Sequence, residues 1–113
     1  MKLALIGFGG LGSLVAAHLG QDAGIQFVGV AARPAQAGKV RAVLGAVPVV
    51  GSAPALLALQ PDLVVECASH AAFREYAEPV LAAGIDLIAV SVGVLADAEY
   101  RERVLATARR CGV

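Results

Sequence analysis

Short apolar runs alternate with amphipathic, helix-like segments along the whole chain. Each run is rich in Val, Ile, Leu or Ala, and continuous apolar runs are typical of strands buried on both faces of a parallel sheet. We therefore predict five strands, at Lys2–Ile6, Ile25–Ala32, Val47–Val50, Leu63–Cys67 and Asp86–Ser91.

The segments after the early strands have helical spacing. A weak helix is predicted at Gln36–Leu44, and Ser52 is a candidate N-cap for a helix that runs through Leu59. The first helix is predicted to bury the face that recurs at i, i+3, i+4, i+7 and i+8, and its His18 is expected to be a core histidine with satisfied hydrogen bonds. That face comprises Leu11, Leu14, Val15, His18 and Leu19.

The last two helices have clearer boundaries. Pro79 is expected to kink or split the fourth helix because it removes an i→i−4 hydrogen bond, and Gly84 is expected to end it. Asp97 is a candidate cap for the last helix, on which Glu99 and Arg103 are spaced for an i,i+4 ion pair. The predicted inward residues are Phe73, Tyr76, Ala77, Val80 and Leu81, then Tyr100, Val104, Leu105 and Ala108.

Strands joined by helical crossovers predict a parallel sheet that is covered on both faces. The expected fold class is therefore α/β, a Rossmann-like doubly wound sheet with helices on both sides. The chain has 113 residues, and domains usually contain about 100–200 residues. We therefore expect one domain, residues 1–113.

Charge and composition exclude several classes of partner. The nine basic and nine acidic residues cancel, so we expect no nucleic-acid or membrane-surface partner. Glycine or proline interrupts both long uncharged runs, Leu3–Gln21 and Ala42–Pro61, so neither is predicted to span a membrane. Cys67 and Cys111 are expected to be reduced structural thiols in a soluble, cytoplasmic chain. We predict no metal site and no catalytic residue.

A glycine-rich turn follows the first predicted strand and opens the first predicted helix. The six residues GFGGLG match G-x-G-x-x-G in the context that the motif requires. Gly7 would make the tight turn, Gly9 would let the backbone approach a pyrophosphate, and Gly12 would let the helix pack on the strand. Helix N–H groups would then face the phosphates. We predict a dinucleotide site with Gly7, Gly9, Gly10, Leu11 and Gly12, and a purely structural turn is the alternative.

The same stretch, Lys2–Gly20, also has the parts of a secretory signal peptide. Lys2 supplies the basic start, an apolar run follows, and Ala16 and Ala17 are small residues near its end. Cleavage would remove the first strand and helix of the predicted sheet, and four glycines make a poor apolar helix. We therefore favour the nucleotide-binding interpretation.

The end of the second strand bears on the choice of cofactor. NAD-specific sites usually place a carboxylate there for the ribose hydroxyls, but no acidic residue lies between Asp22 and Asp62. Arg33 stands at that position, close in sequence to Lys39 and Arg41, and a guanidinium can bind a 2′-phosphate with two hydrogen bonds. We predict that NADP is accepted beside NAD. The alternative is that Arg33 only stacks on adenine.

Small and polar residues follow the fourth and fifth strands. Ligands of open α/β sheets lie beyond the carboxyl ends of the strands. His70 opens a helix, and its imidazole could hydrogen-bond a ligand or cap its own helix. Glu66 lies in an apolar strand, so it is expected to have a partner and a structural role, and Cys67 has no base nearby in sequence. The residues predicted to line the ribose and nicotinamide are Ala68, Ser69, His70, Ser91 and Val92.

Three segments together resemble the N-terminal domain of the L-aspartate dehydrogenase family, which belongs to the homoserine-dehydrogenase-like Rossmann proteins. They are LALIGFGGLGSLVAAHL, the arginine after the second strand, and VVECASHAAFREYAEPVLAAGIDLIAVSVGVLAD, which is the most distinctive. The resemblance covers nearly the whole chain. It implies that the glycine turn, Arg33 and the loops after the fourth and fifth strands hold NAD or NADP.

The resemblance also implies an activity, the oxidative deamination of aspartate to iminoaspartate, which hydrolyses to oxaloacetate and ammonia, or the reverse reaction. Iminoaspartate can also feed NAD biosynthesis. Members of the family carry a second domain that binds the dicarboxylate and supplies a catalytic histidine, and this chain ends before it. We expect cofactor binding without turnover, from either a fragment or a free-standing domain, and homo-oligomerisation remains open. The alternatives are the cofactor domain of a relative acting on another amino or hydroxy acid, such as homoserine, and a non-catalytic nucleotide-binding module.

Overall fold

The computed structural model describes residues 1–113, which form alternating strands and helices. The strands are β1 (Lys2–Ile6), β2 (Gln26–Ala31), β3 (Val49–Val50), β4 (Leu63–Glu66) and β5 (Asp86–Ala89). The α-helices are α1 (Gly10–Leu19), α2 (Ala37–Leu44), α3 (Ala53–Leu57), α4 (His70–Ala82) and α5 (Ala98–Cys111). Two 3-10 helices cover Pro34–Gln36 and Val92–Ala96.

All five strands form one sheet with the order β3-β2-β1-β4-β5, and every neighbouring pair is parallel. The chain proceeds outward from β1 to β3, then returns to the other side of β1 for β4 and β5. The predicted Rossmann-like doubly wound sheet is therefore confirmed. The order reverses between β1 and β4, and the carboxyl ends of such strands are where α/β folds bind ligands.

Apolar side chains cover both faces of the sheet. On one face, Leu3 and Leu5 of β1 pack with Ala16 of α1 and Val40 of α2. On the other face, alternate residues of β1 and β4 pack with α3 and α4. A third cluster joins α4 to α5 and to the second 3-10 helix. The pattern explains why the strands are apolar at consecutive positions.

The predicted strand and helix boundaries are mostly confirmed, with shorter ends. The third strand contains only Val49–Val50, and α3 ends at Leu57 instead of Leu59. The predicted cap of α3 is present, because the Ser52 hydroxyl accepts a hydrogen bond from the N–H of Ala55. The fifth strand ends at Ala89, and the 3-10 helix at Val92–Ala96 was not predicted.

The predicted inward face of α1 is correct for Val15 and Leu19, which are half-buried and pack against the core, and wrong for its other members. Leu11 and Leu14 are 46% and 59% exposed and His18 is exposed, so His18 is not a core histidine. The buried positions are instead Gly12 and Ala16. A Cβ on Gly12 would meet the carbonyl oxygen of Gly7, so this glycine brings the helix down onto the turn. That close packing, and not the largest apolar side chains, decides which face of α1 points inward.

The predicted stripe of α4 is confirmed, because Phe73, Tyr76, Ala77, Val80 and Leu81 are all buried. Pro79 does not split the helix, which runs unbroken from His70 to Ala82. The helix ends as predicted at Gly84, whose φ is +75°. The N–H groups of Gly84 and Ile85 donate to the carbonyls of Leu81 and Val80, which is the Schellman arrangement.

The prediction for α5 is partly correct. Asp97 caps it by accepting from the N–H of Tyr100, and Tyr100 and Val104 are buried. Leu105 is exposed, because α5 packs mainly against α4 and the second 3-10 helix through its other face. The predicted Glu99–Arg103 pair is absent.

The Arg103 guanidinium instead binds Glu78 of α4, at 2.9 Å through Nε and 2.8 Å through Nη2. Sequence spacing identifies only partners on the same helix, so it could not show that a carboxylate of α4 lies closer. The hydrogen bond and charge of Glu78 raise the pKa of Arg103.

The five α-helices are too short or too polar for any of them to be a candidate membrane span.

Candidate functional site

A cleft of about 640 Å³ opens at the carboxyl edge of the sheet. Its walls are the turn after β1, the segment after β2, the loop after β4 and one side of α4. This is the position at which the strand order reverses. The lining residues are Ile6, Gly7, Phe8, Gly9, Ala31, Ala32, Arg33, Pro34, Gln36, Gly51, Cys67, Ala68, Ser69, Ala72, Glu75 and Tyr76.

The turn after β1 is fixed from both sides. Gly7 has a φ of +92°, and its N–H donates to the carbonyl of Ala31 at 2.8 Å. A Cβ at Gly7 would lie 2.7 Å from the Cβ of Ala68 and 3.0 Å from the carbonyl oxygen of Cys67. The Phe8 side chain is fully buried, so it anchors the turn in the core. Only glycine fits position 7, both by conformation and by space.

The other glycines of the motif differ in their surroundings. A Cβ on Gly9 or Gly10 would have no protein atom within 4 Å. Gly12, in contrast, lies against the backbone of Gly7. The packing of the fold therefore requires glycine at positions 7 and 12 but not at position 9. The open space over Gly9 is available to a ligand.

The N-terminus of α1, like that of α2, lacks the side-chain cap that the last three helices have. Ser52, Ser69 and Asp97 cap α3, α4 and α5 through side-chain oxygens. Gly9 is the N-cap of α1, and no side chain caps this end. The first turn of a helix has N–H groups without intrahelical partners. At α1 those donors and the positive end of the helix dipole remain available for an anion.

Arg33 lies just beyond β2 and lines the cleft with Pro34 and Gln36. It is exposed and makes no ion pair. The side-chain amide of Gln36 donates to the carbonyl of Phe8 at 3.3 Å, which ties this segment to the glycine turn. Lys39 and Arg41, which are close to Arg33 in sequence, do not line the cleft.

The loop after β4 forms the opposite wall, with Cys67, Ala68 and Ser69. The expected partner of Glu66 is confirmed: its carboxylate accepts hydrogen bonds from Ala68, Ser69 and Ser91. Burial raises the pKa of the Cys67 thiol, and the charge of Glu66 raises it further. A thiol in these surroundings is a poor nucleophile.

Not every predicted site residue lines the cleft. Gly10, Leu11 and Gly12 belong to the first turn of α1. His70, Ser91 and Val92 are also absent from the lining of the cleft. The Nε2 atom of His70 would be 2.9 Å from a Cβ on Gly93, so the imidazole packs against the second 3-10 helix. His70 does not cap α4, because Ser69 does so by accepting from Ala72 at 3.1 Å.

Sequence reasoning missed the contribution of α4. Ala72, Glu75 and Tyr76 line the cleft, and Gly51, just after β3, joins them. Tyr76 belongs to the predicted core stripe and also lines the cleft, because it lies at the border between the two. Burial and then the charge of Glu75 raise the pKa of Tyr76. The helical spacing of the stripe gives no signal for this second role.

Comparison with known proteins agrees with the geometry. Residues 7–113 match the family model described as the NAD binding domain of homoserine dehydrogenase. The chain is 42% identical over 113 residues to L-aspartate dehydrogenase 1 of Bordetella pertussis, and 40% identical over 114 residues to L-aspartate dehydrogenase of Ruegeria pomeroyi. Each match covers 99% of this chain but only 42% and 39% of those proteins.

Solved structures share the fold. UDP-N-acetylglucosamine 3-dehydrogenase from Acidithiobacillus ferrooxidans superposes with a TM-score of 0.82 at 25% identity, over all of this chain and 36% of that one. A dehydrogenase from Chromobacterium violaceum, 23% identical, has a TM-score of 0.78 and is matched over 34% of its length. The family model and the relatives at about 40% identity confirm the resemblance to the L-aspartate dehydrogenase family, and the chain belongs to the family of homoserine dehydrogenase NAD-binding domains.

Proposed function

We propose that the cleft binds NAD or NADP with the pyrophosphate over Gly9 and Gly10, at the N-terminus of α1. The observation that carries the proposal is the combination of an uncapped helix end with open space at these two glycines. A pyrophosphate supplies the charge and the acceptors that such an end lacks. A side chain at position 9 would occupy the volume that the phosphates need.

The adenosine end of the cofactor is proposed to lie between the segment after β2 and α4. Arg33 has no protein carboxylate bound to it, so its guanidinium is free to bind a 2′-phosphate. This arrangement favours acceptance of NADP. Stacking of Arg33 on adenine without a phosphate contact is the competing proposal, and the two differ in how strongly Arg33 affects NADP relative to NAD.

The ribose and nicotinamide are proposed to lie toward the loops after β4 and β5. Ala68 and Ser69 line that end of the cleft. His70, Ser91 and Val92 lie beyond them, and the proposal needs the nicotinamide to extend past the cleft walls toward these residues. The bound cofactor would supply the hydride chemistry, and the protein would orient it.

We propose that the chain serves an L-aspartate dehydrogenase, which deaminates aspartate oxidatively to iminoaspartate or runs the reaction in reverse. Support comes from relatives of that name at about 40% identity. This chain spans about two fifths of their length, so the dicarboxylate site is proposed to lie in a second domain. Residues 1–113 are then expected to bind cofactor without useful turnover.

The sheet leaves an apolar surface for a partner. Val65 of β4 packs on the α1 side of the sheet, and its neighbour Ile88 on β5 faces the same way. Ile88 and Val90 are 54% and 49% exposed, because α1 and α2 cover only the other strands. We propose that the second domain covers this surface, because the relatives of this chain are more than twice its length.

We propose a cytoplasmic location for the chain. Both of its cysteines are free, which agrees with that location.

Calorimetric titration with NADP and NAD at matched salt tests the proposal. We expect both cofactors to bind, with NADP at least as tight as NAD. Binding of neither would reject the cofactor site. In a second assay, NADPH is mixed with oxaloacetate and ammonia, and no oxidation is expected from these 113 residues. Turnover there would overturn the proposed need for a second domain.

A further inference from the structure

The carboxylate of Glu66 joins the loops that follow β4 and β5. Glu66 ends β4 and is 1% exposed. Its Oε2 accepts from the N–H of Ala68 at 2.7 Å, the N–H of Ser69 at 3.1 Å and the hydroxyl of Ser91 at 2.8 Å, while its Oε1 accepts from the N–H of Ser91 at 2.9 Å. One side chain therefore binds four donors from two separate loops.

No cation accompanies this buried charge, since neither ion pair of the chain includes Glu66. A buried carboxylate is costly unless hydrogen bonds compensate for its lost hydration. The four donors do so, and the carboxylate also lies near the N-terminus of α4, where the helix dipole favours negative charge. The two loops are thus held at a fixed distance by an acceptor that has no other partner.

The position of these loops matters for the cleft. Ala68 and Ser69 form part of its wall, whereas Glu66 itself does not line it. Ala68 also contacts the glycine turn, because a Cβ on Gly7 would meet its Cβ at 2.7 Å. Any shift of the loop after β4 would therefore displace the wall at the end of the cleft where the nicotinamide is proposed to lie.

We propose that Glu66 is a positioning residue for the nicotinamide half of the dinucleotide. The inference rests on the proposed cofactor site. Glu66 acts through the backbone of Ala68 and Ser69 and through Ser91, and it makes no hydrogen bond to the glycine turn or to Arg33. Loss of its carboxylate should weaken binding of the nicotinamide half and spare the adenylate half.

The test compares two probes on two variants. Glu66→Gln keeps the size of the side chain but turns one acceptor into a donor that faces N–H or O–H groups. Ser91→Ala removes only one of the four hydrogen bonds. The first probe is the dinucleotide that wild type binds more tightly. The second is its fragment without the nicotinamide riboside, which is adenosine 2′-phosphate 5′-diphosphate for NADP or ADP for NAD. Glu102→Gln, at an exposed glutamate of α5 without an ion pair, is the matched control.

We expect Glu66→Gln to weaken dinucleotide binding by about 10-fold or more, because the displaced loops would fit the nicotinamide half less well. The fragment should lose less than about twofold. Ser91→Ala should show a smaller loss with the same selectivity, and Glu102→Gln should bind both probes as wild type does. If Glu66→Gln does not fold, as judged by circular dichroism, Glu66→Asp is titrated with the same two probes, because it keeps the charge but draws the carboxylate back from the loop donors and leaves Ser91 in place.

Equal losses for both probes, or no loss for either, would overturn the positioning role and leave Glu66 purely structural. Either result is obtained only if the wild-type chain binds the dinucleotide, so neither would contradict the proposed cofactor site. A wild-type chain that binds neither probe would instead reject the cofactor site, and this inference with it.

Discussion

Gly12 of α1 rests directly on the carbonyl oxygen of Gly7, so closely that a methyl group on Gly12 would collide with it. The first turn of the helix is therefore seated on the turn that ends β1. This contact positions the helix N-terminus at the mouth of the cleft. The third glycine of the motif thus acts through packing, while the second faces open space.

Gly12→Ala should destabilise the fold. The added methyl group would meet backbone atoms, which cannot rotate away, so we expect a loss of about 3 kcal/mol in the free energy of unfolding, at the upper end for overpacked sites. Urea unfolding followed by circular dichroism measures it. Gly38→Ala on α2, where a Cβ would have no neighbour within 4 Å, is the control and should not lower stability. Equal midpoints for the two variants would contradict the packing role of Gly12.

Arg33→Ala should weaken NADP binding far more than NAD binding. A guanidinium that holds a 2′-phosphate contributes about 1.5–3 kcal/mol, or roughly 10- to 100-fold in affinity, whereas NAD lacks that phosphate. Calorimetric titration of the variant with each cofactor measures both losses. Lys39→Ala serves as the control, because Lys39 does not line the cleft. Losses of equal size for NADP and NAD would favour stacking on adenine instead.

The Cys67 thiol should make stability depend on alkaline pH. Its pKa is raised in the folded chain, by burial first and by the charge of Glu66 second. Ionisation therefore favours the unfolded chain. The stabilisation is complete below the ordinary thiol pKa of about 8.5 and is lost as the pH rises toward the folded-state pKa.

Urea unfolding at several pH values between about 8 and about 9.5 tests this, in a Cys111→Ala background that leaves Cys67 as the single thiol. The free energy of unfolding should fall with pH, and Cys67→Ala in the same background should flatten the curve. Both proteins contain the same tyrosines, so the difference isolates Cys67. Parallel curves would show that the thiol has the same pKa in the folded and unfolded chains.

The sequence predicted the fold well because its signals are local. Apolar runs predicted the strands. Ser52 and Asp97 predicted helix N-termini, which they cap through side-chain oxygens, and Gly84 predicted a helix C-terminus, where its φ is positive. The signals failed where the outcome depends on packing between elements. Leu14 of α1 has the right spacing for a core residue, yet it is exposed because Gly12 determines the helix orientation.

In the candidate site, too, the sequence predicted the residues with local signals and missed those that depend on packing between elements. The glycine turn, Arg33 and the loop after β4 were found from the sequence, because each follows a strand and lies at the same edge of the sheet. Glu75 was missed, although it lines the cleft. It belongs to α4, and no spacing along the chain shows that this side of the helix faces the segment after β2. The two donors that Ser91 gives to Glu66 were likewise beyond the sequence, since Ser91 is 25 residues away.

The open space over Gly9 gives the sharpest test of the proposed cofactor site. Gly9→Ala should leave the free energy of unfolding unchanged, because no protein atom lies within 4 Å of the added Cβ. The methyl group would occupy the volume assigned to the pyrophosphate, so NADP affinity should fall by more than about 100-fold relative to Gly38→Ala, the equivalent of roughly 3 kcal/mol. Calorimetric titration of both variants with NADP measures it. A stable Gly9→Ala chain that binds NADP as tightly as the control would show that the pyrophosphate does not lie over this glycine.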